Sequence, residues 1–147
     1  MTKYEILKKT ELFVLDMDGT FYLDNDVIDG ALDFLDEVKK AGKRFVFFTN
    51  NSSKSPGTYI DKLAKMGCNI GREQIITSGD VMIQYLKEYY PGKEVYLVGT
   101  PDLEDNFREN GIRLTKEMPD VVVIGFDMTL TYEKLERACT YIRNGAV

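Results

Sequence analysis

Histidine is absent from the 147 residues. That absence removes histidine-based triads, phosphohistidine chemistry and nearly all zinc catalysis. Any catalysis must therefore run on carboxylates, hydroxyls, lysines, amides or a hard metal ion. Cysteine is scarce as well: Cys68 and Cys139 lie far apart and form no CxxC pair, so they read as buried or idle thiols in a reducing compartment. Long apolar runs are missing. The stretches at 45–48 and Val121–Ile124 are far too short to span a bilayer. The first residues carry scattered charges and no apolar core of a signal peptide. A cytoplasmic protein is expected. Basic charge is outnumbered, 19 residues against 24 acidic ones for a net charge of -5, which argues against a broad surface for nucleic acid or anionic membrane. A small basic pocket for a phosphate remains compatible with it.

What is present suits a folded α/β chain. Hydrophobic residues make up 44% and charged residues 29%, enough for a sizeable core and against intrinsic disorder. The length suits one ordinary domain, or one compact layer system with part of a second. The apolar run Leu12–Leu15 ends abruptly at Asp16, as a buried parallel strand would. Ala31, Leu32, Leu35 and Val38 then recur at helical spacing, and Gly42 closes that helix. A second buried strand at 45–48 ends at Thr49 and Asn50. A helix over 57–66 stops at Gly67, a weak strand follows at 74–77, and Ser78 or Asp80 caps a helix that runs to about Tyr89. After the Pro91-Gly92 break the alternation restarts, with a strand at 95–98, a helix at 103–110, a strand at 121–126 and a helix over Tyr132–Arg143. The pattern predicts a Rossmann-like parallel sheet with flanking helices over 1–90, and a second α/β segment over 91–147.

The chemistry concentrates at the strand ends. In an open parallel sheet, ligands bind outside the carboxyl ends of the strands. Asp16 stands at that end of the first strand, with Asp18 two residues on, and Thr49 and Asn50 stand at the same end of the second. Neighbouring strands lie about 4.8 Å apart, so two carboxylates, a hydroxyl and an amide would crowd one small volume. A hard cation such as Mg²⁺ relieves that crowding and commonly bridges carboxylates to phosphate oxygens, while hydroxyl and amide groups donate to the remaining oxygens. Gly19, without a β-carbon, would let backbone amides approach the anion.

Asp16-Met17-Asp18-Gly19-Thr20 after one hydrophobic strand resembles the first motif of the haloacid dehalogenase superfamily. Phe47-Phe48-Thr49-Asn50-Asn51-Ser52 after a second strand resembles its second motif, and Thr49-Asn50-Asn51-Ser52-Ser53 is similar in particular to the NagD-type, nitrophenylphosphatase-like branch. Tyr96-Leu97-Val98-Gly99-Thr100, the run from Val122 to Asp127, and Thr131-Tyr132-Glu133-Lys134-Leu135 agree with that branch. The resemblance implies Mg²⁺-dependent hydrolysis of a small phosphorylated metabolite through an aspartyl-phosphate. Asp16 would be the nucleophile and Asp18 the general acid and base. The metal would be held by the Asp16 carboxylate and the Asp18 backbone carbonyl, and Thr49 and the Asn50 amide would bind the phosphoryl group. Asn51, with Ser52 and Ser53, either joins that phosphate set or serves as a loop and helix-cap residue. Residues 21–28 would form a short flap. The segment from about Pro91 onward would open an inserted α/β cap of the C2 type, and such caps either dimerise or stand alone, so a homodimer is one expected assembly.

Two further motifs of the superfamily, a bridging lysine and a later Gly-Asp followed by another Asp, do not occur in this sequence. Gly79-Asp80 is followed by no second carboxylate, and Lys116 and Lys134 fall in the cap-like region. The chain is accordingly read as the front part of a longer enzyme, weakly active or inactive alone. The alternative is a non-catalytic binding or regulatory fragment of the same fold. A phosphotransfer receiver domain fits poorly, because its phosphoaccepting Asp would follow the third strand, which here ends at Thr77-Ser78.

Overall fold

In the computed structural model, which describes residues 2–147, the run Leu12–Leu15 forms β1 and pairs in parallel with β4 (Arg44–Thr49), Leu12 opposite Arg44 and Leu15 opposite Phe47. β5 (Ile75–Thr77) lies on the other side of β4, giving the order β1-β4-β5. Side chains alternate across this sheet. Phe13, Leu15, Phe45 and Phe47 join a core with Leu35 and Val38 of α2 (Ala31–Lys40) and Tyr59 and Leu63 of α3 (Pro56–Lys65). Each such side chain, fully buried, contributes ~1.5–3 kcal/mol relative to exposure. The opposite face leaves Leu12, Val14 and Phe48 exposed.

Between β1 and α2 the chain makes a small hairpin, β2 (Tyr22–Leu23) antiparallel to β3 (Asp26–Val27), within the segment expected to form a flap. Asp24 takes a positive φ of 52° at its tip, a conformation that short polar side chains tolerate. The helix α1 (Lys3–Lys9) was not expected. It buries no residue, and a reciprocal capping box between Thr2 and Glu5 starts it. The Lys43 ammonium closes it, donating to the carbonyls of Leu7, Lys8 and Thr10 at 2.7, 2.9 and 2.6 Å. Lys43 is thus a C-terminal cap of α1.

The chain forms two compact units. One comprises the residues up to Thr49 with Pro56–Ile76, the other Asn50–Ser55 with Thr77–Val147. The second unit is built on a three-stranded parallel sheet of order β7-β6-β8, from β6 (Glu94–Val98), β7 (Arg113–Leu114) and β8 (Val121–Ile124). On one face Val95, Leu97, Val121 and Val123 pack with Ile83 and Leu86 of α4 (Ser78–Tyr89) and with Leu103 and Phe107 of α5 (Pro101–Glu109). On the other, Tyr96 and Val98 pack with Ala138 of α6 (Tyr132–Arg143). The Pro91-Gly92 turn lies within this unit, between α4 and β6.

Several boundaries move for local reasons. α4 is capped by Thr77, not by Ser78 or Asp80 alone: the Thr77 hydroxyl accepts from the Asp80 amide at 3.1 Å, and the Asp80 carboxylate accepts from the Thr77 amide at 3.0 Å. α5 begins at Pro101 because Thr100 caps it and proline is favoured in the first turn. β7 has two residues and no periodicity to announce it. No helix among the described residues is long and apolar enough to cross a membrane.

Candidate active site

Asp16 directly follows β1, and Thr49 is the last residue of β4. The strands are parallel with Leu15 opposite Phe47, so both residues occupy the carboxyl edge of one sheet. Thr49 is fully buried there, whereas Asp16 is exposed.

The turn after Asp16 is organised by one carbonyl. Met17 is fully buried, and its oxygen accepts from the amides of Thr20, Phe21 and Tyr22 at 3.2, 2.9 and 3.2 Å. The Gly19 amide donates back to the Tyr22 carbonyl at 2.8 Å. This reversal leaves Asp18 and Thr20 exposed beside Asp16, and the Thr20 hydroxyl donates to Asp16 Oδ2 at 3.3 Å. Gly19 has φ +81°, and a β-carbon there would meet nothing within 4 Å. Glycine is needed for that dihedral rather than for room, and its amide is engaged inside the turn.

Two residues of this site were not anticipated. Thr20 orients the Asp16 carboxylate; its place four residues after Asp16 was the available signal. Tyr22 is fully buried, and its hydroxyl has no hydrogen-bond partner among the described residues. Burial first, then the negative charge of Asp18, hold its phenol well above the usual tyrosine range. Asp18 is therefore within electrostatic reach, although the two do not attain hydrogen-bond geometry. The Lys62 ammonium sits 3.7 Å from the centre of the Tyr22 ring, a cation–π contact.

Asn50 and Asn51 follow Thr49 in sequence and belong to the second compact unit. Asn50 is exposed. Asn51 Oδ1 accepts from the Ser53 amide at 3.0 Å and the Ser53 hydroxyl at 2.7 Å, the geometry of a residue that shapes its own loop. Ser52 and Ser53 are buried. Asp80 is the helix cap described above. Asp127 is a structural anion: its carboxylate meets Lys134 Nζ at 2.6 Å, and that ammonium also donates to the Gly99 carbonyl at 2.8 Å. Burial alone would push the Asp127 carboxyl up, but donation from Lys134 and Thr129 outweighs it and holds the group below the usual carboxylate range.

No group of three or more His, Cys, Asp or Glu side chains able to hold a metal occurs among the described residues. Mg²⁺, however, keeps several waters and is commonly bound through one or two carboxylates plus substrate phosphate. Exposed Asp16 and Asp18 on one turn match that smaller requirement.

A family model described as haloacid dehalogenase-like hydrolase matches residues 13–113. The acid sugar phosphatase of Staphylococcus aureus strain USA300 is 38% identical over 141 residues, covering 95% of this chain and 54% of that protein. The 4-nitrophenylphosphatase of Thermotoga maritima superposes with a TM-score of 0.92 at 45% identity, over 96% of this chain and 54% of its own. A glycerol phosphate phosphatase from Mycobacterium tuberculosis, solved in complex with magnesium, gives a TM-score of 0.86 at 30% identity, over 96% and 44% of the two chains. The chain thus spans about half the length of the curated relatives it matches. The match over residues 13–113 includes the Asp16–Thr20 turn, both strand ends and the first strands of the second unit, and by it the chain belongs to the haloacid dehalogenase-like hydrolases.

Proposed function

We propose that this chain carries the nucleophile and general acid of a Mg²⁺-dependent phosphomonoesterase acting on a small phosphorylated metabolite. The observation that carries the reading is the placement of Asp16 and Asp18 on one exposed turn at the carboxyl edge of a parallel sheet. The relatives named as phosphatases support it. Asp16 and the Asp18 backbone carbonyl would hold magnesium, which when bound neutralises charge on the phosphoryl oxygens.

In the proposed reaction an Asp16 oxygen forms the bond to phosphorus as the bond to the leaving oxygen breaks, and Asp18 delivers a proton to that oxygen. Asp18, now ionised, then takes a proton from water as the water attacks the aspartyl-phosphate, releasing phosphate and restoring Asp16. Thr49 and the Asn50 amide bind the phosphoryl oxygens, Asn51 shapes the loop beside them, and Gly19 contributes through the turn it permits. Thr20 holds one Asp16 oxygen, leaving the other for attack. Residues 1–90 supply the first part of the core, and residues 91–147 begin the cap that selects the leaving group. The free thiols Cys68 and Cys139 support a reducing, cytoplasmic setting.

The isolated 147 residues are expected to turn over weakly or not at all, because the bridging lysine and later aspartates are not among them. The test is acid quenching after incubation with 4-nitrophenyl phosphate, followed by mass spectrometry of the peptide containing Asp16. A phosphoryl adduct that needs Mg²⁺ and disappears in Asp16→Asn is the expected result. Binding of phosphate with Mg²⁺ but without adduct would favour the second reading, a non-catalytic binding or regulatory fragment. That reading draws on the two superfamily motifs, the bridging lysine and the later Gly-Asp followed by another Asp, that do not occur in these 147 residues.

A further inference from the structure

The six residues after Thr49 are held by partners remote in sequence. Ser52 Oγ accepts from the Phe126 amide at 2.8 Å. The Thr100 hydroxyl donates to the Ser53 carbonyl at 2.7 Å, and Asp102 Oδ2 accepts from the Ser55 amide at 2.8 Å. The Ser78 hydroxyl donates to the Asn50 carbonyl at 2.9 Å. The loop is thereby fastened by the starts of α4 and α5 and by the chain leaving β8. The packing demands this closeness: a β-carbon on Gly125 would stand 3.0 Å from Ser52 Oγ and 2.8 Å from Leu103 Cδ2. Ser52, Ser53 and Thr100 are all buried, so these bonds are shielded from water.

We infer that Ser52, Thr100 and Asp102 are positioning residues for phosphate binding, fixing the Asn50–Ser55 loop so that the Asn50 amide is presented in place. The inference rests on the proposed phosphatase reading, in which that amide contacts the phosphoryl group. A loop ordered before binding loses less freedom when the anion arrives, so its anchors act on affinity without touching the ligand. Coupling of this kind is reciprocal: phosphate bound at the loop steadies the starts of α4 and α5 in turn.

The test uses the whole 147-residue chain with inorganic phosphate and Mg²⁺ as the probe. Affinity is read by calorimetric titration, and amide hydrogen exchange over residues 50–55 is read without ligand. Thr100→Val removes the donor to Ser53, whereas Thr100→Ser keeps it. Phosphate affinity should fall about tenfold in Thr100→Val and stay within about twofold in Thr100→Ser, with faster exchange at the Ser53 and Ser55 amides only in the valine variant. Should Thr100→Val fail to fold, Ser52→Ala provides the same comparison by removing the acceptor for Phe126. Wild-type affinity in a folded variant whose loop exchanges faster would overturn the inference. Wild-type protein that binds no phosphate while its loop amides stay protected would instead overturn the phosphatase reading, and the positioning role with it.

Discussion

At the scale of single residues, the turn from Asp16 to Tyr22 shows how little of a site's shape lies in its charged groups. Asp16 and Asp18 carry the chemistry in the proposed reaction, but one buried carbonyl, that of Met17, and one positive φ, that of Gly19, set where they stand. Gly19→Ala is expected to cost ~1–2 kcal/mol in denaturant unfolding. Because a β-carbon there meets no neighbour, the cost is wholly one of dihedral, and Gly19→Asn should recover part of it. Equal losses for alanine and asparagine would point to a steric cause instead. Tyr22 offers the opposite case, a buried hydroxyl without a hydrogen bond. Tyr22→Phe should leave stability unchanged or raise it by up to ~1 kcal/mol, since no hydrogen bond is lost. A clear loss on thermal unfolding would mean that the hydroxyl is bonded to Asp18 in solution.

Among the elements, β1, α2, β4 and α6 were legible because their apolar residues repeat at the period of the structure they form. α1 was not, since it buries nothing and is held by its Thr2–Glu5 capping box and by the Lys43 ammonium. The Asp127–Lys134 pair joins the loop after β8 to α6 and, through the same ammonium, to the Gly99 carbonyl. The folded-state pKa of Asp127 is depressed. Its stabilising contribution is therefore fully present above the unfolded carboxylate value of about 3.9 and is lost as pH falls through the lower folded value. Asp127→Asn should destabilise the second unit by ~1–3 kcal/mol near neutral pH, with the gap from wild type closing as the solution is acidified below the ordinary carboxylate range. A gap that stays constant down to strongly acid pH would show that the carboxylate is not the stabilising species.

For the whole molecule, the first sheet has an open face and an open edge. Leu12, Val14 and Phe48 are 44%, 63% and 42% exposed on one face, and β1 ends the strand order. Exposed apolar edge strands pair with other chains. Sedimentation of the 147-residue chain should show association that grows with concentration and weakens in Val14→Lys. A monomer at high concentration would show that this face is not adhesive. Separate hydrophobic clusters in the two compact units also argue against one cooperative unfolding transition.

The sequence alone determined the α/β class, the two strands that lead to Asp16 and Thr49, and the absence of histidine from these 147 residues. Those properties are written in local periodicity and in which residue types are present at all. Only the tertiary structure decided which distant groups hold the Asn50–Ser55 loop. The Asn50–Ser55 loop is fastened to partners 47 and 74 residues away, and the short strand β7 exists because β6 offers it an edge. Tyr22 is buried because the Met17 carbonyl folds the chain back over it. Hydrogen bonds between distant residues leave no periodic trace in the chain, so their pairing emerges only once the strands and helices have packed.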